Sequence, residues 1–434
     1  MRTKTILQIL GFGILCYSIA VFFMHSEYYD EQSHQILHGY FDMTADHGKE
    51  EYWKSIPIHM EEVYNGTEYY KVCFDDDCLN RIASQLARPF SAISTKNHWC
   101  IPTSERGTNS QRIAIIGPNK TFTEWQGVLL VKVPKAASST CAGVVLRLAN
   151  HSKCAVQWEH REGRHYQNRT QHRHLLIGSI RRPAQRAYSN VWYFQLGPLN
   201  ITPTDENVIR ALNTKRGGKT MGQGGYQFNY LSLTWVPRRS VYNPEKGVYI
   251  MNPHNLYKRL YDLIQGYHFL MVVERMDESV TALALLLGIP LSHVLVLGSK
   301  VSQSAFNLVR VGPKQGQCIR PRKLPMSPGV KSYLASEPWM AMNYADEILY
   351  RMANISLEQT IHQTIGKNRF QKALNEYHQL KKFVSRKCGP LTGCNSKGQP
   401  VLSQLCYERD FGCGYPCIDE AMKDYYNGIE EPLF

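Results

Sequence analysis

No G-x-x-x-x-G-K-[ST] loop occurs in the 434 residues, so a kinase or ATPase built on that nucleotide cradle is not indicated. No internal repeat and no low-complexity tract is present. No nucleic-acid-binding motif appears either, although Lys and Arg (50) outnumber Asp and Glu (36) for a formal charge of +14. A basic chain without such a motif suits a small anionic ligand and an anionic glycan. The cysteine-rich tail, Cys388, Cys394, Cys406, Cys413 and Cys417, lacks a C-x-x-C pair, which favours disulfides over a zinc site.

The chain ends carry the evidence for compartment. Ile6 to Met24 is an apolar run, close to the roughly 20 residues that span a bilayer. Arg2 and Lys4 precede it, and bulky Phe22, Phe23 and Met24 leave no small-residue cleavage site. A signal anchor with the N-terminus in the cytosol is expected, a cleaved signal peptide being the alternative. Twelve cysteines, with Cys16 inside the run, leave eleven for an oxidising lumen, an odd number. Cys73 and Cys78 suit a small closed loop. Cys141, at a helix start, reads as a small buried residue rather than a reactive thiolate. Sequons at Asn65, Asn119, Asn150, Asn168, Asn200 and Asn354 agree with a lumenal fate.

The chemistry is concentrated in two stretches. From Val128 to Val133 an apolar, β-branched run ends at Pro134, followed by Lys135, Ala136, Ala137, Ser138, Ser139 and Thr140, then a helix-like pattern from Cys141 to Asn150. A buried strand feeding a tight loop and a helix N-terminus gathers backbone N–H groups and a favourable dipole for an anion. The small residues admit phosphate to the backbone, the hydroxyls add donors, and Lys135 adds a point charge. From Leu175 to Asn190 the order is again strand, basic turn and helix. Arg181, Arg182 and Arg186 cluster near Ser189, and Pro183 suits a first helical turn. Two such sites suggest a ligand with two separated phosphates.

These stretches resemble the membrane-bound carbohydrate sulfotransferases of the secretory pathway, nearest to the heparan-sulfate 2-O type and its algal and protist relatives. The resemblance covers roughly residues 125–365. In that family a P-K-x-x-S-[ST]-[ST] loop binds the 5′-phosphosulfate end of PAPS (3′-phosphoadenosine 5′-phosphosulfate), and R-x-P-x-x-R-x-x-S binds the 3′-phosphate. Here the first reads Pro134 to Thr140 and the second Arg181 to Ser189. Arg182 stands where the family usually has Asp. Phe269 to Ser279 resembles the family's strand-turn-helix after the substrate region. The resemblance implies PAPS as co-substrate with no metal, Lys135, Ala136, Ala137, Ser138, Ser139, Thr140, Arg181 and Ser189 as its binding residues, and a catalytic Lys135. It also implies a histidine base before the second motif, for which His160 fits best.

The expected fold is α/β, a P-loop-like parallel sheet flanked by helices. Strands are expected at 128–133, 174–180, 268–274 and 294–297, with helices after the first two loops and over 277–287. Ligands belong at the carboxyl ends of the strands. Residues 328–387 have helical spacing. The expected organisation is a cytosolic tail (1–5), a membrane anchor (6–24), a stem with a small packed unit near 64–89 (25–124), a catalytic domain (125–387) and a Cys-rich extension (388–434). Residues 215–225 form a glycine-rich loop without the preceding strand that a phosphate cradle needs.

For the acceptor's proton, residues 158–166 offer Glu159, His160, Glu162 and His165, with His172 and His174 nearby. An imidazole near its ordinary pKa suits a mildly acidic lumen. The expected activity is therefore sulfuryl transfer from PAPS to a glycan hydroxyl, in a type II Golgi membrane protein. A protein tyrosine or small metabolite as acceptor stays open, as does a non-catalytic lumenal protein that holds anionic glycans. Glycosidase treatment is expected to raise the gel mobility of the protein, with the N-terminal residues retained; a mature chain beginning near residue 25 would show a cleaved signal peptide.

Overall fold

A computed structural model describes residues 59–64, 67–93, 126–152, 154–196, 199, 201–216, 219–220, 225–234, 242–243, 248–249, 252–297, 308–309, 318–319, 325–388 and 414–427. The apolar run at 6–24 and the sequons at Asn65, Asn119 and Asn200 lie outside them, as does most of the glycine-rich loop. Among the described residues, no helix is long and apolar enough to cross a membrane.

In chain order the strands are β1 (His59–Tyr64), β2 (Thr67–Lys71), β3 (Gly127–Val131), β4 (Ala155–Gln157), β5 (His174–Ile180), β6 (Lys215–Arg216), β7 (Lys219–Thr220), β8 (Tyr242–Asn243), β9 (Val248–Tyr249), β10 (Phe269–Val272), β11 (Leu308–Val309) and β12 (Cys318–Ile319). The helices are α1 (Asp76–Leu86), α2 (Ser138–His151), α3 (Pro183–Val191), α4 (Asp205–Asn213), α5 (Tyr226–Leu231), α6 (Pro253–Gly266), α7 (Met276–Leu287), α8 (Pro328–Leu334), α9 (Glu337–Gln359), α10 (Lys367–Cys388) and α11 (Tyr415–Asn427).

The chain has an α/β fold. Its central sheet has four parallel strands in the order β10-β5-β3-β4. Strands covered on both faces read as continuous apolar runs rather than alternating ones, and Val128, Leu129, Leu130 and Val131 are all fully buried. That pattern is why β3 and β5 were legible in the sequence. Three-residue β4 carries too short a signal and was not expected. Gly127 permits its pairing, because a Cβ there would lie 2.0 Å from the Ala155 carbonyl oxygen.

The expected strand at 294–297 does not form. Pro290 begins a 3-10 turn, Leu291–Val294, that packs against α2, α7 and α10. Val294, Leu295 and Leu297 are buried by those helices without a strand partner. Four apolar residues are too few to distinguish a strand from a buried turn.

Helix α9 is the main support beneath the sheet. It touches β10, α1, α3, α5 and α6, and buries Trp339, Tyr344, Ile348, Leu349, Met352 and Leu357. Helix α1 shares this core through Leu79, Ile82, Ala83 and Leu86, and Phe90 beyond it packs on Phe269 with ring centres 5.0 Å apart. The Cys73–Cys78 disulfide closes the expected small loop at its start.

At the far end of the chain, α11 is tied to α10 by the Cys388–Cys417 disulfide. It also reaches α2: Arg147 donates to Asp419, and the Tyr415 hydroxyl donates to the Gly143 carbonyl. The described part of the cysteine-rich extension therefore braces the helix that begins at the phosphate-type loop. Cys141, on that helix, is buried and its thiol is pushed up to about 12 by desolvation, so it packs rather than reacts. Cross-linking residues this far apart should stabilise the fold by about 3 kcal/mol. A Cys388→Ser/Cys417→Ser variant should lose about that much in denaturant unfolding under non-reducing conditions; an unchanged midpoint would contradict this bracing.

Candidate functional site

The loop between β3 and α2 is held in an unusual backbone shape. Lys135 has φ 65° and Ala137 φ 51°, both left-handed for residues that carry a Cβ. Each such residue costs about 1–3 kcal/mol and persists only where its surroundings compel it. Here the compulsion comes from β5. The buried Ser179 hydroxyl donates to the Ala136 carbonyl at 2.9 Å, and Arg181 Nη1 donates to the Lys135 carbonyl at 3.1 Å. A trans peptide points its C=O and N–H in opposite directions. Drawing the Ala136 carbonyl toward β5 therefore turns the Ala137 N–H away from it.

Ala137 is also the N-cap of α2 and provides no side-chain capping bond. The first-turn amides of Ser138, Ser139 and Thr140 thus receive nothing from the cap, at the positive end of a 14-residue helix. Ala136 is fully buried, while the two serines and the threonine are half-buried. Backbone donors, hydroxyls and one ammonium gathered in this way can accept an anion. The ammonium is placed by an aromatic: Lys135 Nζ lies 3.7 Å from the ring centre of Tyr193, itself 42% exposed on the π-helical turn Trp192–Leu196 that follows α3.

The second motif begins where β5 ends. Burial lowers the pKa of Arg181, and Glu274, 3.9 Å from its Nε, opposes that shift. Its backbone is clamped by Gln227, whose side-chain amide accepts from the Arg181 N–H at 2.9 Å and donates to the Arg181 carbonyl at 2.7 Å. Gln227 is fully buried at the start of α5, and Asp346 of α9 accepts from the N–H groups of Gln227 and Phe228. Burial raises the Asp346 pKa, with Arg186 opposing it.

The three arginines of the motif part company. Arg186 is buried, with its guanidinium 4.2 Å from the Tyr226 ring centre, and its Nε and Nη1 have no hydrogen-bond partner among the described residues. Arg182 is exposed; its N–H donates to Glu274 and its guanidinium stands over Tyr350. Ser189 is half-buried two turns into α3, along the same helical row as Arg182 and Arg186. No hydrogen bond links it to Arg181 among the described residues.

His160 is fastened to the start of the loop. Its Nδ1 lies 2.7 Å from the Lys132 carbonyl oxygen, which can only accept, so Nδ1 carries the proton and Nε2 is the basic nitrogen of the neutral ring. The neighbouring carboxylates are engaged in ion pairs, Glu159 with Arg161 at 3.0 Å and Glu162 with Arg164 at 2.9 Å. His165 is depressed below the usual imidazole value by desolvation and by Arg164 and Arg161. His174 is buried on β5, facing the Thr170 carbonyl.

The fold thus joins Lys135, the loop and Arg181 by direct bonds, and anchors His160 to the same loop. Sequence reasoning missed Ser179, Gln227, Glu274 and Tyr193. Ser179 was within reach, since it shares a strand face with Arg181 at a spacing of two. Nothing local marks Gln227, which tertiary packing brings to Arg181 from 46 residues away. Comparison with protein-family models, with curated proteins and with solved structures gave no match to this chain.

The Gln227 clamp makes a testable claim. Gln227→Ala leaves the Arg181 N–H and carbonyl unpaired in a buried site, at a cost of about 1–3 kcal/mol for each group. The variant should lose roughly 2 kcal/mol or more in denaturant unfolding, and the Arg181 amide should exchange faster. Unchanged exchange at Arg181 would contradict the clamp.

Proposed function

We propose that this protein is a PAPS-dependent sulfotransferase that acts on a hydroxyl of a glycan or glycoconjugate, as a single-pass type II protein of the Golgi membrane. The observation that carries the reading is the bond from Arg181 Nη1 to the Lys135 carbonyl. It ties the two phosphate-type motifs to each other at the carboxyl ends of parallel strands, where open α/β sheets take their ligands. The sulfotransferase fold is the family form of that architecture. The disulfides, the sequons and the apolar N-terminal run support the lumenal placement.

In this reading the loop amides and the hydroxyls of Ser138, Ser139 and Thr140 hold the 5′-phosphosulfate, and Arg181 with Ser189 holds the 3′-phosphate. The acceptor oxygen attacks sulfur in line, a new S–O bond forms, and the S–O bond to the 5′-phosphate breaks with its electron pair on the phosphate oxygen. Lys135 balances the charge that gathers on that oxygen. The ammonium leaves the Tyr193 face to do so. His160 Nε2 takes the proton of the attacking hydroxyl, while the Lys132 carbonyl holds Nδ1–H and stabilises the imidazolium that results. Catalysis here is positioning and charge stabilisation, as in phosphoryl transfer.

The test is transfer of labelled sulfate from PAPS to a panel of glycans, with binding to adenosine 3′,5′-bisphosphate measured alongside. Lys135→Ala should fold and lose on the order of 100-fold or more in kcat. His160→Ala should keep bisphosphate affinity, lose about 100- to 10,000-fold in kcat, and lose the acidic limb of the pH profile. A chain that binds anionic glycans but ignores the bisphosphate would be a lumenal glycan-binding protein instead.

A further inference from the structure

At the opposite end of β5, where the strand begins, a cavity of about 280 Å3 opens between the loop after α1, the loop ahead of β5 and the join of α6 to β10. Arg88, Arg169, His172 and His268 contribute to its wall, with Gln171 and Gln265 beside them, and no Asp or Glu does. Both arginines are fixed by the carbonyls at the end of α6. Arg88 Nη2 donates to those of Ile264 (2.9 Å), Gln265 (3.1 Å) and Tyr267 (3.2 Å), and its Nη1 donates to that of Pro89 (3.2 Å). Arg169 donates to the carbonyls of Tyr166 and Gly266. Helix capping accounts for where the guanidiniums sit.

Capping does not account for their remaining donors. The Nε of Arg88 and the Nε of Arg169 are enclosed with no partner among the described residues, and Arg169 is only 8% exposed. Buried donors are almost always satisfied, so each unsatisfied one asks what satisfies it. A third donor stands with them. His268 Nδ1 accepts from the Leu176 N–H at 3.0 Å, so in the neutral ring Nε2 carries the hydrogen. Burial, Arg169 and Arg88 together push His268 down to about 4, the signature of a desolvated site with positive charge close by. Desolvation likewise lowers both arginines, and no carboxylate opposes it at either.

We infer that this cavity is a second anion site, which takes a sulfate or carboxylate group. Two guanidiniums and an imidazole N–H in a wall without a carboxylate favour an oxyanion over a cation. The volume exceeds that of a bare oxyanion and admits a body the size of one sugar unit. The site is separate from the Lys135 loop: β5 runs seven residues, His174 to Ile180, from one to the other, about 20 Å at roughly 3.3 Å per residue. The inference does not depend on the proposed activity.

The experiment is a titration of the full-length protein, labelled with 15N-arginine, followed at the arginine Nε–H resonances. Inorganic sulfate is added at constant ionic strength, and glucosamine 6-sulfate and glucuronate form parallel arms. Arg88→Lys and Arg169→Lys assign the two signals. Saturable shifts of both are expected, with the free anion as ligand if inorganic sulfate saturates first and a sugar unit if a saccharide does. Ala92→Trp, at an exposed position on the rim, should abolish the shifts while leaving the Arg181 signal unchanged. Absence of saturable shifts at Arg88 and Arg169 in every arm, or their persistence in Ala92→Trp, would overturn the inference. A response confined to Arg181 would speak for the Lys135 cleft and against this one.

Discussion

The grip of β5 on the β3–α2 loop is the constraint on which the rest of the molecule turns. Two side chains two positions apart, Ser179 on β5 and Arg181 just beyond its end, donate to the carbonyls of Ala136 and Lys135. Without those acceptances the left-handed conformations at Lys135 and Ala137 have no compensation, because neither residue has glycine's freedom. The parallel register Val131 to Gly178 sets the two strand ends side by side and makes the bonds possible. A slip of one residue would turn Ser179 to the other face of the sheet. Strand pairing, core packing and the shape of the loop are in this sense a single arrangement.

The layers behind the cleft serve the same end. Gln227 holds the backbone of Arg181, Asp346 holds the helix that carries Gln227, and α9 holds Asp346 against the core. On the other side α11 braces α2 through Arg147 and a disulfide to α10. A fixed donor set costs little reorganisation when charge develops, which is what transfer of a charged group requires of a protein. Such a frame needs buried polar groups that satisfy one another, as the Gln227 side chain does with the Arg181 backbone and Asp346 with the first N–H groups of α5.

The two ends of β5 carry contrasting chemistry. At its carboxyl end Arg181 is matched by Glu274 and bonded to a carbonyl, with Lys135 close at hand. At its amino end Arg88 and Arg169 face no carboxylate, and the imidazole beside them is held neutral. Under the proposed activity, the carboxyl end of β5 would serve the reacting group and the amino end a neighbouring part of an anionic molecule.

How much of this was legible beforehand depended on range. The run from Val128 to Val133, the break at Pro134 and the small hydroxyl-bearing residues after Lys135 announced a strand, a loop and a helix, because a strand buried on both faces must be apolar throughout and an anion loop must be small and polar. Helical spacing over 328–387 and the Cys73–Cys78 loop were equally local, and so were readable. Tertiary structure alone decided that 294–297 turns instead of pairing, that Gln227 clamps Arg181, that Tyr193 shelters the Lys135 ammonium and that His160 is tied to the Lys132 carbonyl. It also made Arg88 and Arg169 neighbours across 81 residues of chain. Sequence spacing reports what a residue's own turn or strand requires; partners brought in by chain reversal leave no trace in it, since the backbone groups they satisfy are the same at every residue.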